Sequence, residues 1–186
     1  MNVENIKLVL DNGIIFSYES AGNKFSASAK ELAKYWPDCL EDYEDEEESG
    51  VELAVEGGKI KLVDGAIVGV LNAYSGQSGV VFIWDCLREE YVHISDGCFA
   101  IDAIPFNGFV YSLSFVSYYG CKAHFVLDRV PIGTKDISDT LTEQVEFQSD
   151  ENLVEKWNGN YSSICLATEK GKLQIKIANN YYDVKI

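Results

Sequence analysis

The stretch Asn107-Gly108-Phe109-Val110-Tyr111-Ser112-Leu113-Ser114-Phe115-Val116-Ser117 alternates without a break. Phe109, Tyr111, Leu113 and Phe115 fall on one side of an extended chain. The smaller Val110, Ser112, Ser114 and Val116 fall on the other. Asn107-Gly108 is the strongest short hairpin signal, because both residues tolerate the positive φ that a type I′ turn requires. This strand therefore pairs antiparallel with Cys98–Phe106, which forces Pro105 to an edge or next to the turn.

The same grammar extends in both directions. Strands are predicted near 66–74, 80–86, 90–94, 98–105, 109–117 and 121–128, separated by Ser75-Gly76-Gln77-Ser78-Gly79, Leu87-Arg88-Glu89, Ser95-Asp96-Gly97 and Tyr119-Gly120. Starts every 8 to 14 residues with turn residues between them mark an antiparallel meander, and no helical pattern is available for parallel crossovers. Residues 5–10, 14–18, 59–63, 172–177 and 181–186 repeat the theme. The expected fold is all-β in a single domain, 1–186: antiparallel meander sheets, as a sandwich or a small propeller-like array. Trp84-Asp85 closes a strand as in a propeller blade, but one such pair identifies no family.

Two short helices are predicted, near 28–36 and 150–157. Ser28-Ala29-Lys30-Glu31 has capping-box spacing, and Ala29, Leu32, Ala33 and Trp36 form one apolar stripe that Pro37 ends. The second helix takes Ser149 as its N-cap, Lys156 in its last turn and Gly159 just beyond.

The chain has 186 residues, of which 47% are apolar and 12% aromatic, enough to build a core. Its net charge of −15 argues against nucleic-acid binding and against docking on anionic membranes, both of which draw on Lys and Arg. The charge is local. Asp38 to Glu56 holds ten acids and no base, which leaves −5 on the other 167 residues. No secretory signal or apolar run of membrane-spanning length is visible. Five widely spaced cysteines read as reduced thiols of a cytoplasmic protein.

Chemistry is sparse. His93, Cys98, Cys121 and His124 could be drafted as a metal site, but Cys121 and His124 point to opposite faces of a regular strand, so no metal site and no cofactor are expected. Cys39 lies beside the acidic run, whose field raises a thiol pKa and so disfavours the thiolate. Asp85 and Asp96 occupy turn positions. Asp102 alternates with Cys98, Ala100 and Ile104 in the most apolar part of the chain and is worth inspecting as an acid–base group, with His93 or His124 beside it.

Three functions from different classes follow. The first is a non-catalytic protein that recognises a basic protein partner through Asp42, Tyr43, Glu44, Asp45, Glu46, Glu47 and Glu48; an antitoxin or immunity-type inhibitor is one concrete form. The second is a carbohydrate- or small-ligand-binding module with Trp84, Tyr91, Tyr118 and Tyr119 exposed on a concave face. The third is an enzyme built around Asp102.

Overall fold

The computed structural model describes residues 4–11, 13–20, 23–41, 52–117, 119–120, 122–138, 141–147 and 152–185. Asp42 to Glu48, Tyr118, Cys121 and Ser149 lie outside these residues, so the main part of the acidic stretch does too.

The chain begins with β1 (Glu4–Asn5), followed by β2 (Leu8–Asp11), β3 (Ile14–Ser20) and β4 (Asn23–Ser28), which pair in that order as one antiparallel sheet. The helix α1 (Ala29–Leu32) follows, then the two-residue strands β5 (Leu40–Glu41) and β6 (Glu52–Leu53), paired with each other. Next come β7 (Val55–Val63), β8 (Ala66–Ala73), β9 (Ser78–Asp85) and β10 (Glu90–Asp96), a meander to which β1 adds beside β7. A second meander holds β11 (Ala100–Phe106), β12 (Phe109–Val116) and β13 (His124–Pro131). The short β14 (Lys135–Asp136) joins β10, and β15 (Glu143–Val145) joins β13. The helix α2 (Leu153–Trp157) leads into the last sheet, β16 (Ile164–Glu169), β17 (Lys172–Ile177) and β18 (Asn180–Asp183).

The protein is all-β with two short helices, and the sheets pack face to face in chain order. One face of β7–β10 carries Ile60, Ile67, Leu71, Phe82, Trp84 and Tyr91, packed against Phe16, Ala27, Leu32 and Trp36. The opposite face, with Val68, Val70, Val81 and Ile83, meets Ala100, Ala103 and Val110. The far side of that second meander, with Tyr111, Leu113 and Leu127, meets Trp157, Leu166, Leu173 and Ile175. The central strands β8 and β9 are thus covered on both faces, which is why they read as continuous apolar runs (Ile67-Val68, Val70-Leu71, Val80–Trp84) rather than as alternation.

The deciding hairpin forms as its residues require. Phe106 faces Phe109 across Asn107 and Gly108, whose φ values are 48° and 84°. Pro105 lies on β11, an edge strand, where its missing N–H leaves no ladder bond unmade.

Three expectations are corrected. The first helix is one turn, Ala29–Leu32, and Trp36 reaches the core from the turn that follows it. Ser28 does cap it, but onto the Lys30 N–H at 3.1 Å. The second starts at Leu153 with Asn152 as N-cap, and Asn158 and Gly159 stop it in left-handed conformations. Pairing is not wholly antiparallel either: β14 runs parallel to β10, with Ile94 opposite Lys135. The chain leaving β13 crosses to the neighbouring sheet there and covers part of its open edge.

Candidate functional site

Asp102 is the sequence candidate that the structure clarifies most. It lies on β11, 1% exposed, and Lys61 on β7 is 2% exposed. Lys61 Nζ donates to Asp102 Oδ2 at 2.6 Å and to the Leu166 carbonyl at 3.1 Å, and the Leu166 N–H donates to the same Asp102 oxygen at 2.6 Å. Lys59, two residues earlier on β7, donates its ammonium to the Ile164 carbonyl. Ile164 and Leu166 turn these groups away from β17, so three side chains do for the buried edge of β16 what a neighbouring strand would do. This corrects the acid–base reading. Asp102 is committed to holding a strand, with neither histidine among its hydrogen-bond partners.

The other polar candidates are dispersed. His93 is fully buried on β10, its Nε2 3.0 Å from Ser95 Oγ and its Nδ1 without a partner among the described residues. Burial pushes its pKa down to about 4. His124 is exposed at the start of β13, its Nδ1 2.9 Å from the Lys122 carbonyl oxygen. Cys98 donates its thiol to the Gln77 carbonyl at 3.0 Å. Burial first, and the charge of Asp38 to a lesser degree, push the Cys39 thiol up to about 12. Asp85 accepts the N–H groups of Leu87 and Arg88, and Asp96 that of Cys98.

The proposed row of exposed aromatics is also corrected. Trp84 and Tyr91 are buried, with ring centroids 4.9 Å apart edge to face, in the layer between the first two sheets. Only Tyr119 of the described members is exposed. Bulk decides this, because the two rings fill the space beside Phe82 and opposite Phe16.

A different site was not visible in the sequence. A cavity of about 690 Å³ opens where β7 begins and β8 ends. Its walls include Glu56, Gly57 and Lys59 from β7 and Asn72 from β8. Phe99, Phe115 and Tyr161 bring three rings to it from three separate segments. The Asn72 amide donates to the Ala100 carbonyl at 3.2 Å and ties β8 to β11 there. Phe115 and Tyr161 both lean on Trp157, at 4.7 and 4.9 Å between centroids. Phe99 takes a left-handed conformation (φ 56°) and donates its N–H to the Gly76 carbonyl at 2.8 Å.

Ser75 and Gly76 bring the turn Tyr74–Ser78 to the cavity wall, and in that turn Tyr74, Ser75 and Gly76 are left-handed in succession (φ 51°, 57° and 85°). Both ends of the acidic stretch are fastened to it. Asp38 accepts a hydrogen bond from the Ser78 hydroxyl at 2.5 Å, and Glu56 accepts the Ser75 N–H at 2.7 Å. Between them, Leu40 pairs with Leu53 and Glu41 with Glu52. The first and last acids of the stretch, 18 positions apart in sequence, thus meet one five-residue turn.

No protein-family model matches the chain, and no curated protein is significantly similar to it. No helix among the described residues is long and apolar enough to cross a membrane.

Proposed function

We propose that this is a non-catalytic binding protein that recognises a basic protein partner through the acidic stretch from Asp38 to Glu56. One observation carries the reading. Ten acids without a single base are gathered in 19 residues, and the two ends of that stretch are pinned together on the Tyr74–Ser78 turn. A local charge of −10 on a body of −5 attracts cationic surfaces within about a Debye length and speeds encounter. Asp42, Tyr43, Glu44, Asp45, Glu46, Glu47 and Glu48 are the contact residues of this reading. A surface built to bind phosphate, such as that of a cationic nuclease, is its natural complement, which makes an intracellular antitoxin or immunity-type inhibitor the concrete form.

The test is binding to a panel of purified basic nucleases across a salt series. Affinity should fall by about tenfold or more from 50 to 500 mM salt. It should also fall when the six acids from Asp42 to Glu48 are changed to Asn and Gln. Affinity indifferent to both changes would refute the reading.

A further inference from the structure

We propose that the cavity behind the Tyr74–Ser78 turn is a socket for one arginine or lysine side chain of the basic partner. The inference rests on the reading of residues 38–56 as the docking surface, and Glu56 is where that surface meets the cavity.

The lining fits a cation on a hydrocarbon stem. Ring faces attract cations, and Phe99, Phe115 and Tyr161 line the cavity from three separate segments of the chain. Two of these rings are held by Trp157, and the backbone of Phe99 is fixed by its N–H bond to Gly76, which reduces the ordering left to be done on binding. Ile6 and Leu8 supply apolar wall for the stem. Among the described residues, Glu56 is the one acid of the lining and Lys59 the one base. Glu56 Oε2 holds the Ser75 N–H, and the exposed carboxylate keeps further lone pairs for a guanidinium or ammonium. The Lys59 ammonium is turned onto the Ile164 carbonyl, so Lys59 offers its stem to the cavity while its charge is engaged elsewhere.

Gly57 keeps the space open. It faces Asn72 across the ladder, and a Cβ built on it meets nothing within 4 Å. A side chain there would occupy the socket without striking the fold.

The experiment compares n-butylguanidinium, an arginine side-chain mimic, with n-butylurea, its neutral isostere. Both are titrated into the full chain up to about 50 mM, a range suited to fragments of this size. Butylguanidinium should shift the ring resonances of Phe99, Phe115 and Tyr161 saturably, and about tenfold more tightly than butylurea. Glu56→Gln should cost butylguanidinium about threefold to tenfold in affinity. Gly57→Leu should remove its binding while the circular dichroism stays that of the parent. Octa-arginine at fixed salt should bind Gly57→Leu more weakly than the parent, which ties the socket to a protein partner.

Equal binding of guanidinium and urea, or none by either, would overturn the proposal. So would octa-arginine affinity untouched by Gly57→Leu, since the cavity would then serve a free small cation. Should Gly57→Leu fail to fold, Glu56→Gln decides, and an unchanged butylguanidinium affinity in it counts against the socket. The broader reading fails separately. Neutralising the acids from Asp42 to Glu48 tests that surface and leaves the discrimination between guanidinium and urea to the socket alone.

Discussion

Lys61 and Asp102 show how little a charged residue's type says about its role until its partners are known. Each is almost fully buried, and each is paired with the other and with the backbone of Leu166. Removing one partner leaves a buried charge without compensation, which costs about 3–5 kcal/mol, whereas replacing both by apolar groups of similar size costs far less. Asp102→Ala should therefore destabilise by about 3 kcal/mol or more, and Lys61→Met/Asp102→Leu by clearly less than the sum of its single changes. Urea denaturation of the parent and these variants measures this, and strictly additive values in the Lys61→Met and Asp102→Leu cycle would contradict the account. His93 makes the second residue-scale prediction. Its folded pKa of about 4 lies below the ordinary value of 6.5, so between these pH values the unfolded chain binds a proton that the native protein does not. The contribution is fully present above pH 6.5 and is lost as pH falls toward 4, by roughly 3 kcal/mol in total. The stability difference between parent and His93→Gln should shift toward the variant by that order from pH 7.5 to 4.5. Equilibrium unfolding at each pH checks it, and a constant difference would refute it.

At the scale of elements, the strands differ in how they end. The edge of β16 is closed by Lys59, Lys61 and Asp102 rather than by a ladder, so its docking depends on side chains from two other sheets. Where β10 ends, the backbones themselves nearly touch. A Cβ on Gly97 would lie 2.6 Å from the carbonyl carbon of Val80, and one on Gly79 would lie 2.5 Å from the Gly97 oxygen. Neither obstacle is the end of a flexible side chain. Gly97→Ala should thus cost about 2 kcal/mol by forcing β9 and the Gly97 turn apart. Gly57→Ala, in open space within β7, should stay within about 0.5 kcal/mol of the parent. Denaturant midpoints of the two variants compare them directly. Similar midpoints would mean that the close approach at Gly97 is relieved at no cost.

For the whole molecule, layering and charge are separable. The sheets follow one another in space as they do in sequence, each meander burying a face against the next. The flanks of residues 42–51 are joined by the pairing of β5 with β6. Of a net −15, ten charges belong to a stretch whose two ends share a turn. On the proposed reading, salt should weaken binding to basic proteins far more than it changes unfolding midpoints.

Sequence by itself determined the all-β class, the Asn107-Gly108 hairpin, the local character of the charge and the turn roles of Asp85 and Asp96. Each is a property of neighbours in the chain: a period of two, a residue that tolerates positive φ, a run of like charges, a carboxylate two residues before an N–H. Alternation does not say what lies opposite a face. It could not show that Trp84 and Tyr91 face the core, or that Lys61 lies 2.6 Å from Asp102 across 41 residues. The cavity was hidden for the same reason, since Gly57, Phe99, Phe115 and Tyr161 come from segments that only the stacking of sheets brings together. Local propensity set the strands. Which side chains meet was decided by how much apolar surface each sheet could bury against the next.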